Sequence, residues 1–220
     1  MTCLLCGQSL PRQFSFTDLL YLKKSRVCLC CSCQASFEPI GPQHCPACAK
    51  PGQNELCLDC HYWQEQGQVV EHTSLYHYNE AMKAYFSRYK FEGDYLLRAV
   101  FSQDIKLALK SYKDYTLVPV PLSPEGLAKR RFNQVTAFLD HAGLSYQELL
   151  GKKDGVKQSS KTRQERLASC QTFYLTSRQP LPAKILLIDD IYTTGATLNL
   201  IRQLFQQAGV KELKTFSLAR

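Results

Sequence analysis

Two adjacent carboxylates followed by a short hydroxyl-rich turn form the most informative stretch of this chain. Asp189 and Asp190 come directly after the apolar residues 185–188, and the turn 193–197 (TTGAT) precedes a helical pattern. A helix N-terminus presents unpaired N–H groups and a partial positive charge, both of which suit a phosphate group. The two carboxylates would repel a bare phosphate, but they can accept hydrogen bonds from a vicinal diol. The stretch therefore predicts a site for ribose 5-phosphate.

The turn supplies its own donors for such a ligand. Thr193, Thr194 and Thr197 carry hydroxyl groups, and Gly195, which Ala196 follows, lets the backbone approach the ligand closely. The chain contains neither the G-x-x-x-x-G-K-[ST] motif of P-loop proteins nor the G-x-G-x-x-G fingerprint of dinucleotide-binding folds. A pair of acids at an ordinary strand–helix turn, without a ligand, is the alternative interpretation.

Ten of the eleven cysteines lie within the first 60 residues, where C-x-x-C pairs recur. Two residues between cysteines allow both sulfurs to reach one metal ion at a tight turn, and two such pairs complete a tetrahedral zinc site. The sequence therefore predicts one or two structural zinc ions. Sequential pairing, in which the first two pairs share one ion, is the simplest arrangement, and cross-brace pairing is the alternative. The four pairs are Cys3/Cys6, Cys28/Cys31, Cys45/Cys48 and Cys57/Cys60.

The ligand register of the second pair is ambiguous, because Cys30 and Cys33 form an overlapping C-x-x-C. His44 and His61 adjoin other pairs and offer imidazole nitrogens in place of a thiolate. Thiolates at this spacing also suit an iron–sulfur cluster, and an uncoordinated group of reduced thiols is a further alternative. A site closed by four thiolates leaves no open position for catalysis, so the predicted metal has a structural role.

The segments around these residues alternate between predicted strands and helices. Residues 184–189 are predicted to form a buried strand because of their apolar run at 185–188, residues 197–207 show helical spacing, and residues 210–219 contain a final strand. Residues 117–121 predict a short strand whose two prolines place it at a sheet edge or near its own end. The alternation predicts an α/β fold with a mainly parallel sheet flanked by helices. Further helices are predicted at 79–90, 95–110 and 126–142, and a further strand at 173–176.

The change in composition after residue 60 divides the chain. The polar residues 64–73 predict a linker, so we expect a Cys-rich zinc-binding domain at 1–66 and an α/β domain at 67–220. Apolar residues make up 45% of the 220-residue chain, which supports a hydrophobic core and excludes a disordered chain. No apolar run approaches the roughly 20 residues of a membrane span, and no leader precedes Cys3, so we expect a cytoplasmic protein.

The net charge of +8 is concentrated in one part of the sequence. Residues 151–220 carry twelve Lys and Arg residues against five Asp and Glu residues, a difference of +7. A bounded positive cluster favours a polyanionic or phosphate-bearing partner, and a solvated surface is the alternative.

Residues 186–197 (LLIDDIYTTGAT) resemble the phosphoribosyl pyrophosphate motif of type I phosphoribosyltransferases. Together with the cysteine pairs and the segments 89–94, 118–123, 130–134 and 161–167, in that order, they resemble the ComF/ComFC family of competence proteins over nearly the whole chain. The resemblance implies a type I phosphoribosyltransferase fold at 67–220, preceded by a small zinc-ribbon-like domain. It also favours the Cys28/Cys31 register for the second cysteine pair.

The resemblance further implies a role for each candidate site residue. Asp189 and Asp190 would hold the ribose 2′ and 3′ hydroxyls of phosphoribosyl pyrophosphate, and residues 193–197 its 5′-phosphate. Leu122 and Ser123 match the turn that binds pyrophosphate, and Mg²⁺ would be held mostly by oxygens of the donor itself. A departing pyrophosphate needs cations to hold its charge. Residues 152–166 form a basic segment that we call the basic loop, and its candidates for this role are Lys161, Arg163 and Arg166.

The function implied by the resemblance lies in natural transformation. Members of the family handle internalised single-stranded DNA in the cytoplasm together with ComFA, a helicase-like ATPase. Two hypotheses follow: a competence protein that binds phosphoribosyl pyrophosphate as a ligand, or an active Mg²⁺-dependent phosphoribosyltransferase with an unidentified small-molecule or nucleotide acceptor. The residues favour binding over turnover, because they contain no readable pattern for recognition of an acceptor base.

Overall fold

The computed structural model describes residues 2–10, 28–154, 172–176 and 180–220, and a four-stranded parallel sheet lies at its centre. The strand order in this sheet is β1–β6–β5–β2, and β3 pairs with β4 in a separate antiparallel ribbon. The strands are β1 (His72–Tyr76), β2 (Thr116–Pro119), β3 (Leu150–Lys152), β4 (Phe173–Leu175), β5 (Lys184–Ile191) and β6 (Glu212–Ala219).

Helices cover the sheet on both faces. The α-helices in the described part of the chain are α1 (Cys31–Ala35), α2 (Leu58–Glu65), α3 (Glu80–Ser87), α4 (Ser102–Ala108), α5 (Pro124–Arg130), α6 (Gln134–Ala142) and α7 (Ala196–Gln207). A π-helical turn, Arg88–Glu92, continues α3, and 3₁₀ turns occupy Tyr95–Ala99 and Leu109–Tyr112. None of these helices is long and apolar enough to cross a membrane.

The apolar run of β5 alternates between two hydrophobic cores, which explains why its sequence lacks a polar face. Leu186 and Ile188 pack on one side of the sheet with Phe216 and the residues of α3 and α6. Ile185 and Leu187 pack on the other side with residues of α7. Because both faces of a parallel sheet are covered, its central strands read as continuous apolar runs.

The predicted fold class is confirmed: a parallel sheet is flanked by helices, and β2 with its prolines lies at the sheet edge. The single helix predicted at 126–142 is wrong, because Arg131 adopts a left-handed conformation (φ 65°) and separates α5 from α6. The Asn133 side chain accepts a hydrogen bond from the backbone N–H of Val135 (2.8 Å) and starts the second helix there.

The interpretation of 64–73 as a linker also needs correction at its end, where His72 already belongs to β1 and pairs with Thr215 of β6. The strand β1 was not predicted because most of its residues are polar. His72 hydrogen-bonds to Thr215 (2.9 Å), Ser74 (2.8 Å) and Ser217 (3.0 Å), so these buried polar groups satisfy one another.

The Cys-rich segment packs directly against the α/β sheet. The ring of Phe37 lies 4.9 Å from that of Phe101 and 6.1 Å from that of Tyr85, inside the first core. The cysteines from Cys45 to Cys60 belong to the second core. The division into domains at residues 66 and 67 stays a prediction.

Candidate functional site

The loop between β5 and α7 gathers the residues predicted to bind a phosphorylated sugar. Asp189 and the residues 193–197 line one small cavity of about 50 Å³ at the carboxyl end of β5. Helix α7 makes its first intrahelical hydrogen bond from the N–H of Asn199 to the carbonyl of Gly195 (2.9 Å). The N–H groups of the first turn therefore have no partner within the helix, and that of Ala196 donates to the Thr194 hydroxyl at the long distance of 3.5 Å, so this turn can meet an anion.

Gly195 has a positive φ of 80°, and the loop depends on its missing side chain. A Cβ at this position would overlap the hydroxyl of Tyr192 and lie 2.6 Å from the Cζ of the same ring. Tyr192 is itself buried, and its ring lies 4.1 Å from that of His72. The floor of the loop is thus a packed aromatic side chain that cannot move aside easily.

Asp189 is the carboxylate that lines the cavity. Its Oδ1 accepts a hydrogen bond from the backbone N–H of Asp190 (2.9 Å). Burial and, after it, the neighbouring charge of Asp190 together raise the pKa of Asp189 to about 7, against the opposing effects of the Asp190 N–H, Lys90 and Lys152. This carboxyl group therefore titrates near neutral pH.

Asp190 lies in a different environment from its neighbour, because successive side chains of a strand point to opposite faces. Its Oδ2 forms an ion pair with Lys90 Nζ (2.8 Å) and accepts a hydrogen bond from the side-chain amide of Gln134. Both charged side chains are nearly enclosed, with 7% and 11% of their area exposed. The sequence analysis assigned no role to Lys90 or Gln134, although both lie in segments that carry the family resemblance, 89–94 and 130–134.

The turn at Leu122 and Ser123 follows β2 and lies beside β5, because the N–H of Val120 donates to the carbonyl of Ile188 (2.9 Å). Ser123 caps α5 by accepting a hydrogen bond from the N–H of Gly126 (3.2 Å). The backbone N–H of Glu125, in the first turn of α5, donates to the carboxylate of Asp154 (2.8 Å). Lys161, Arg163 and Arg166, the predicted cations of the basic loop, lie outside the described residues.

A basic and aromatic cleft of about 660 Å³ adjoins the acid pair. Arg130 donates to the Gln134 side chain (3.0 Å), the same amide that donates to Asp190, so the cleft and the acid pair share a hydrogen-bond network. Phe91 at its rim is 76% exposed, and the Arg130 guanidinium lies 5.8 Å from its ring. The lining residues are Lys90, Phe91, Glu92, Gly93, Tyr95, Lys129, Arg130, Arg131 and Phe132.

Four buried cysteines form the first candidate metal centre, which we call the inner cysteine group: Cys45, Cys48, Cys57 and Cys60. The Sγ atoms of Cys48 and Cys57 are 3.5 Å apart, and those of Cys45 and Cys60 are 3.8 Å apart. A zinc ion with Zn–S bonds of about 2.3 Å places its sulfurs about 3.8 Å from one another in a tetrahedron. The inner cysteine group therefore fits a closed zinc site.

The second centre, the outer cysteine group, differs from the predicted register. It consists of Cys3, Cys6, Cys30 and Cys33, which favours Cys30/Cys33 over Cys28/Cys31, and the assignment of the ligands stays a prediction. Cys30 caps α1, and its sulfur accepts a hydrogen bond from the N–H of Cys33 (3.5 Å), which brings both sulfurs to one side of the helix start.

The two displaced cysteines point elsewhere. Cys31 is the first residue of α1 and is exposed, and the Cys28 thiol donates to the carbonyl of Ala99 (4.0 Å). Each group in the described residues combines C-x-x-C units that are neighbours along the chain, as the predicted sequential pairing requires, and neither His44 nor His61 belongs to either group.

Three relatives are similar to the chain over most of its length. The competence protein ComFC of Streptococcus pneumoniae is 48% identical over 220 residues, which span 100% of both chains. The competence protein ComFC of Bacillus subtilis is 32% identical over 229 aligned residues, covering 100% of this chain and 95% of that protein. The competence protein F of Haemophilus influenzae is 24% identical over 219 residues, covering 91% and 93%.

Solved structures match the chain only weakly. An allosteric regulatory enzyme of purine biosynthesis matches with a TM-score of 0.36 and 17% identity, over 54% of this chain and 25% of the enzyme. A hypoxanthine phosphoribosyltransferase from Staphylococcus aureus matches with a TM-score of 0.33 and 16% identity, over 55% and 61%. Similarities at this level carry no conclusion for this chain. No protein-family model matches it.

Proposed function

The chain belongs to the ComFC family of competence proteins, and from that premise we propose that it binds phosphoribosyl pyrophosphate in the loop between β5 and α7. The observation that carries this proposal is the single cavity that Asp189 shares with residues 193–197. One end of the cavity offers helix N–H groups for a phosphate, and the other offers a carboxylate for sugar hydroxyls.

The two acids would have different roles, and only Asp189 would hold the sugar. Asp189 accepts hydrogen bonds from the ribose hydroxyls once it is ionised. Asp190, paired with Lys90, is already neutralised and holds the end of β5 against α6 through Gln134. The unpaired first turn of α7 binds the 5′-phosphate. Mg²⁺ bound to the donor would screen the charge of the pyrophosphate, with most of its oxygen ligands supplied by the donor.

We further propose that the protein handles internalised single-stranded DNA in the cytoplasm together with a ComFA-type ATPase. The basic and aromatic cleft supports this part, because cations track a phosphate backbone and exposed rings stack on bases. The same cleft beside the acid pair favours, as a second candidate, phosphoribosyl transfer to an acceptor with an aromatic base. Release of pyrophosphate from the donor in the presence of such an acceptor distinguishes turnover from binding.

The donor site is tested by calorimetry with phosphoribosyl pyrophosphate and Mg²⁺. Asp189→Asn should lower donor affinity on the order of tenfold or more, because an amide accepts fewer hydrogen bonds from a diol than a carboxylate does. With the pKa of Asp189 at about 7, wild-type affinity should also fall as the pH drops from about 8 to 6, since protonation removes the acceptor.

Two comparisons control that experiment. Asp189→Asn should lose this carboxyl's part of the pH dependence, leaving only that of the donor's own phosphate. Asp140→Asn, a matched change at an exposed carboxylate, should leave affinity unchanged. Equal donor affinity of the wild type and Asp189→Asn would contradict the assignment of the site.

The DNA interface is tested by filter binding of a single-stranded oligonucleotide over a series of salt concentrations. Lys129→Ala with Arg131→Ala should weaken binding and reduce the slope of log K against log salt by about 1.4, about 0.7 for each lost contact to a single strand. The matched pair Lys110→Ala with Lys113→Ala removes the same charge from other exposed positions and should leave the slope unchanged. Identical slopes for both pairs would reject the cleft as the DNA site.

A further inference from the structure

The side chain of Arg220 connects the inner cysteine group to the phosphate loop. Its Nη2 donates to Cys48 Sγ (3.3 Å) and to Asp59 (3.2 Å), and its Nη1 donates to the backbone carbonyl of Thr193. The side chain is only 7% exposed, and its Cζ lies 4.8 Å from the centroid of the Tyr192 ring. One buried guanidinium thus touches a metal-ligand sulfur and the loop at the same time.

The electrostatics of a zinc site explain why a cation is held there. Zn²⁺ offsets two of the four thiolate charges, so a closed four-thiolate site carries about two negative charges. A buried charge is stable only when it is paired and hydrogen-bonded. The Nε of Arg220 is buried without a hydrogen-bond partner among the described residues, so its position depends on the contacts of the two Nη atoms. Arg220 is therefore held by Cys48 and Asp59 on one side and by the loop carbonyl on the other.

A second contact ties the same loop to the same metal module. Trp63 lies on α2, the helix that follows Cys57 and contains Cys60. Its indole Nε1–H donates to the backbone carbonyl of Thr194 (2.7 Å). Two consecutive carbonyls of the loop are therefore held by residues whose positions depend on the inner cysteine group.

Holding these carbonyls sets the direction of the loop N–H groups. In a trans peptide the C=O and the N–H of the same unit point in opposite directions. The carbonyl of Thr193 shares its peptide with the N–H of Thr194, and the carbonyl of Thr194 shares its peptide with the N–H of Gly195. With both carbonyls turned toward the metal module, both N–H groups point away from it, and the residues that carry them line the cavity.

We propose that zinc bound by the inner cysteine group sets the affinity of the loop for phosphate. Arg220 and Trp63 are the positioning residues that connect the metal site to the loop. The inference deepens the proposed function and rests on it, because it concerns the regulation of the same donor site. Loss of zinc leaves the guanidinium held by Asp59, a residue of the same helix α2 that the metal no longer fixes, and the loop N–H groups then lose their fixed direction. By linkage, bound donor must strengthen zinc retention by the same factor by which zinc strengthens donor binding.

The experiment uses the full chain loaded with zinc, with calorimetric donor affinity and zinc content by elemental analysis as readouts. Arg220→Lys keeps the charge beside Cys48 but cannot bridge to Thr193, and Trp63→Phe removes only the indole donor. Each variant should bind phosphoribosyl pyrophosphate with Mg²⁺ about tenfold more weakly while it keeps the wild-type zinc content. The neighbouring change Tyr62→Phe, at a partly exposed ring on the same helix, is the control and should match the wild type.

A second readout measures the same coupling from the zinc side. At equilibrium with a chromophoric chelator, the zinc affinity of the wild type should rise about tenfold when donor and Mg²⁺ are present, and Trp63→Phe should lose this protection. Wild-type affinity in both variants, or zinc affinity that is indifferent to the donor, would overturn the inference while leaving the proposed function intact. Absence of donor binding by the wild type itself would instead overturn the proposed function and, with it, this inference.

Discussion

Replacing Cys48 and Cys57 by serine together should remove one zinc ion per chain and lower the melting temperature by about 10–20 °C. The four cysteines of the inner group are 0–3% exposed and form part of the second hydrophobic core. Structural zinc contributes roughly 10–16 kcal/mol in small peptides, and a whole domain is stable by only about 5–15 kcal/mol. A loss of about 5 kcal/mol in the free energy of unfolding lowers the melting temperature by about 10–20 °C, because each kcal/mol is worth about 2–4 °C in a chain of this size. Calorimetry and elemental analysis measure the two effects.

The outer group and the displaced cysteines provide matched controls for this variant. Cys30→Ser with Cys33→Ser should also remove one zinc ion, but with a smaller change in melting temperature, because Cys6 of the same group is exposed. Cys28→Ser with Cys31→Ser should leave both zinc ions bound. Loss of zinc from the last pair, with retention in Cys30→Ser/Cys33→Ser, would restore the register that the sequence favoured and refute the structure on this point.

Gly195→Ala should abolish most donor binding, with a loss on the order of a hundredfold, or about 2.7 kcal/mol. The new Cβ would overlap the Tyr192 hydroxyl, and the residue would have to keep a φ of 80°, which strains any side chain. The loop must therefore shift, and its N–H groups move away from the positions that face the phosphate. Titration calorimetry with donor and Mg²⁺ measures the loss, and the zinc content should stay at the wild-type value.

Gly209→Ala is the control that introduces the backbone strain of a positive φ without a steric overlap such as that between a Cβ at position 195 and Tyr192. Gly209 lies beyond the other end of α7 with a φ of 86°, and nothing lies within 4 Å of its hypothetical Cβ. This variant should lose about 1 kcal/mol of stability and none of its donor affinity. If both glycine variants bind the donor equally well, the packing of Tyr192 beneath the loop has no role in binding.

The local parts of the candidate site could be predicted because they are contiguous in sequence. A buried strand, two acids, a hydroxyl-rich turn and a helix follow one another over residues 185–207, so spacing alone places Asp189 near the turn. Lys90, Gln134 and Arg220 could not be placed this way, because the fold brings them from distant segments. Nothing local in the sequence marks Arg220 as the link between Cys48 and Thr193.

The register of the outer cysteine group shows a different limit of sequence reasoning. Cys28/Cys31 and Cys30/Cys33 have identical spacing, so composition cannot separate them. The start of α1 favours the Cys30/Cys33 register. Cys30 caps this helix and Cys33 lies in its first turn, so their sulfurs lie on the same side. The break at Arg131 was hidden for a related reason, since a single left-handed residue leaves the apolar spacing on either side intact.

The central position of β6 has a consequence for the order of events during synthesis. This strand lies between β1 and β5, yet it spans residues 212–219, so β1 and β5 have no direct pairing with each other. On the ribosome, the cysteine ligands and β1 emerge long before the strand that joins β1 to β5. We therefore expect the nascent chain to acquire metal early and to close its sheet only after translation has passed residue 219.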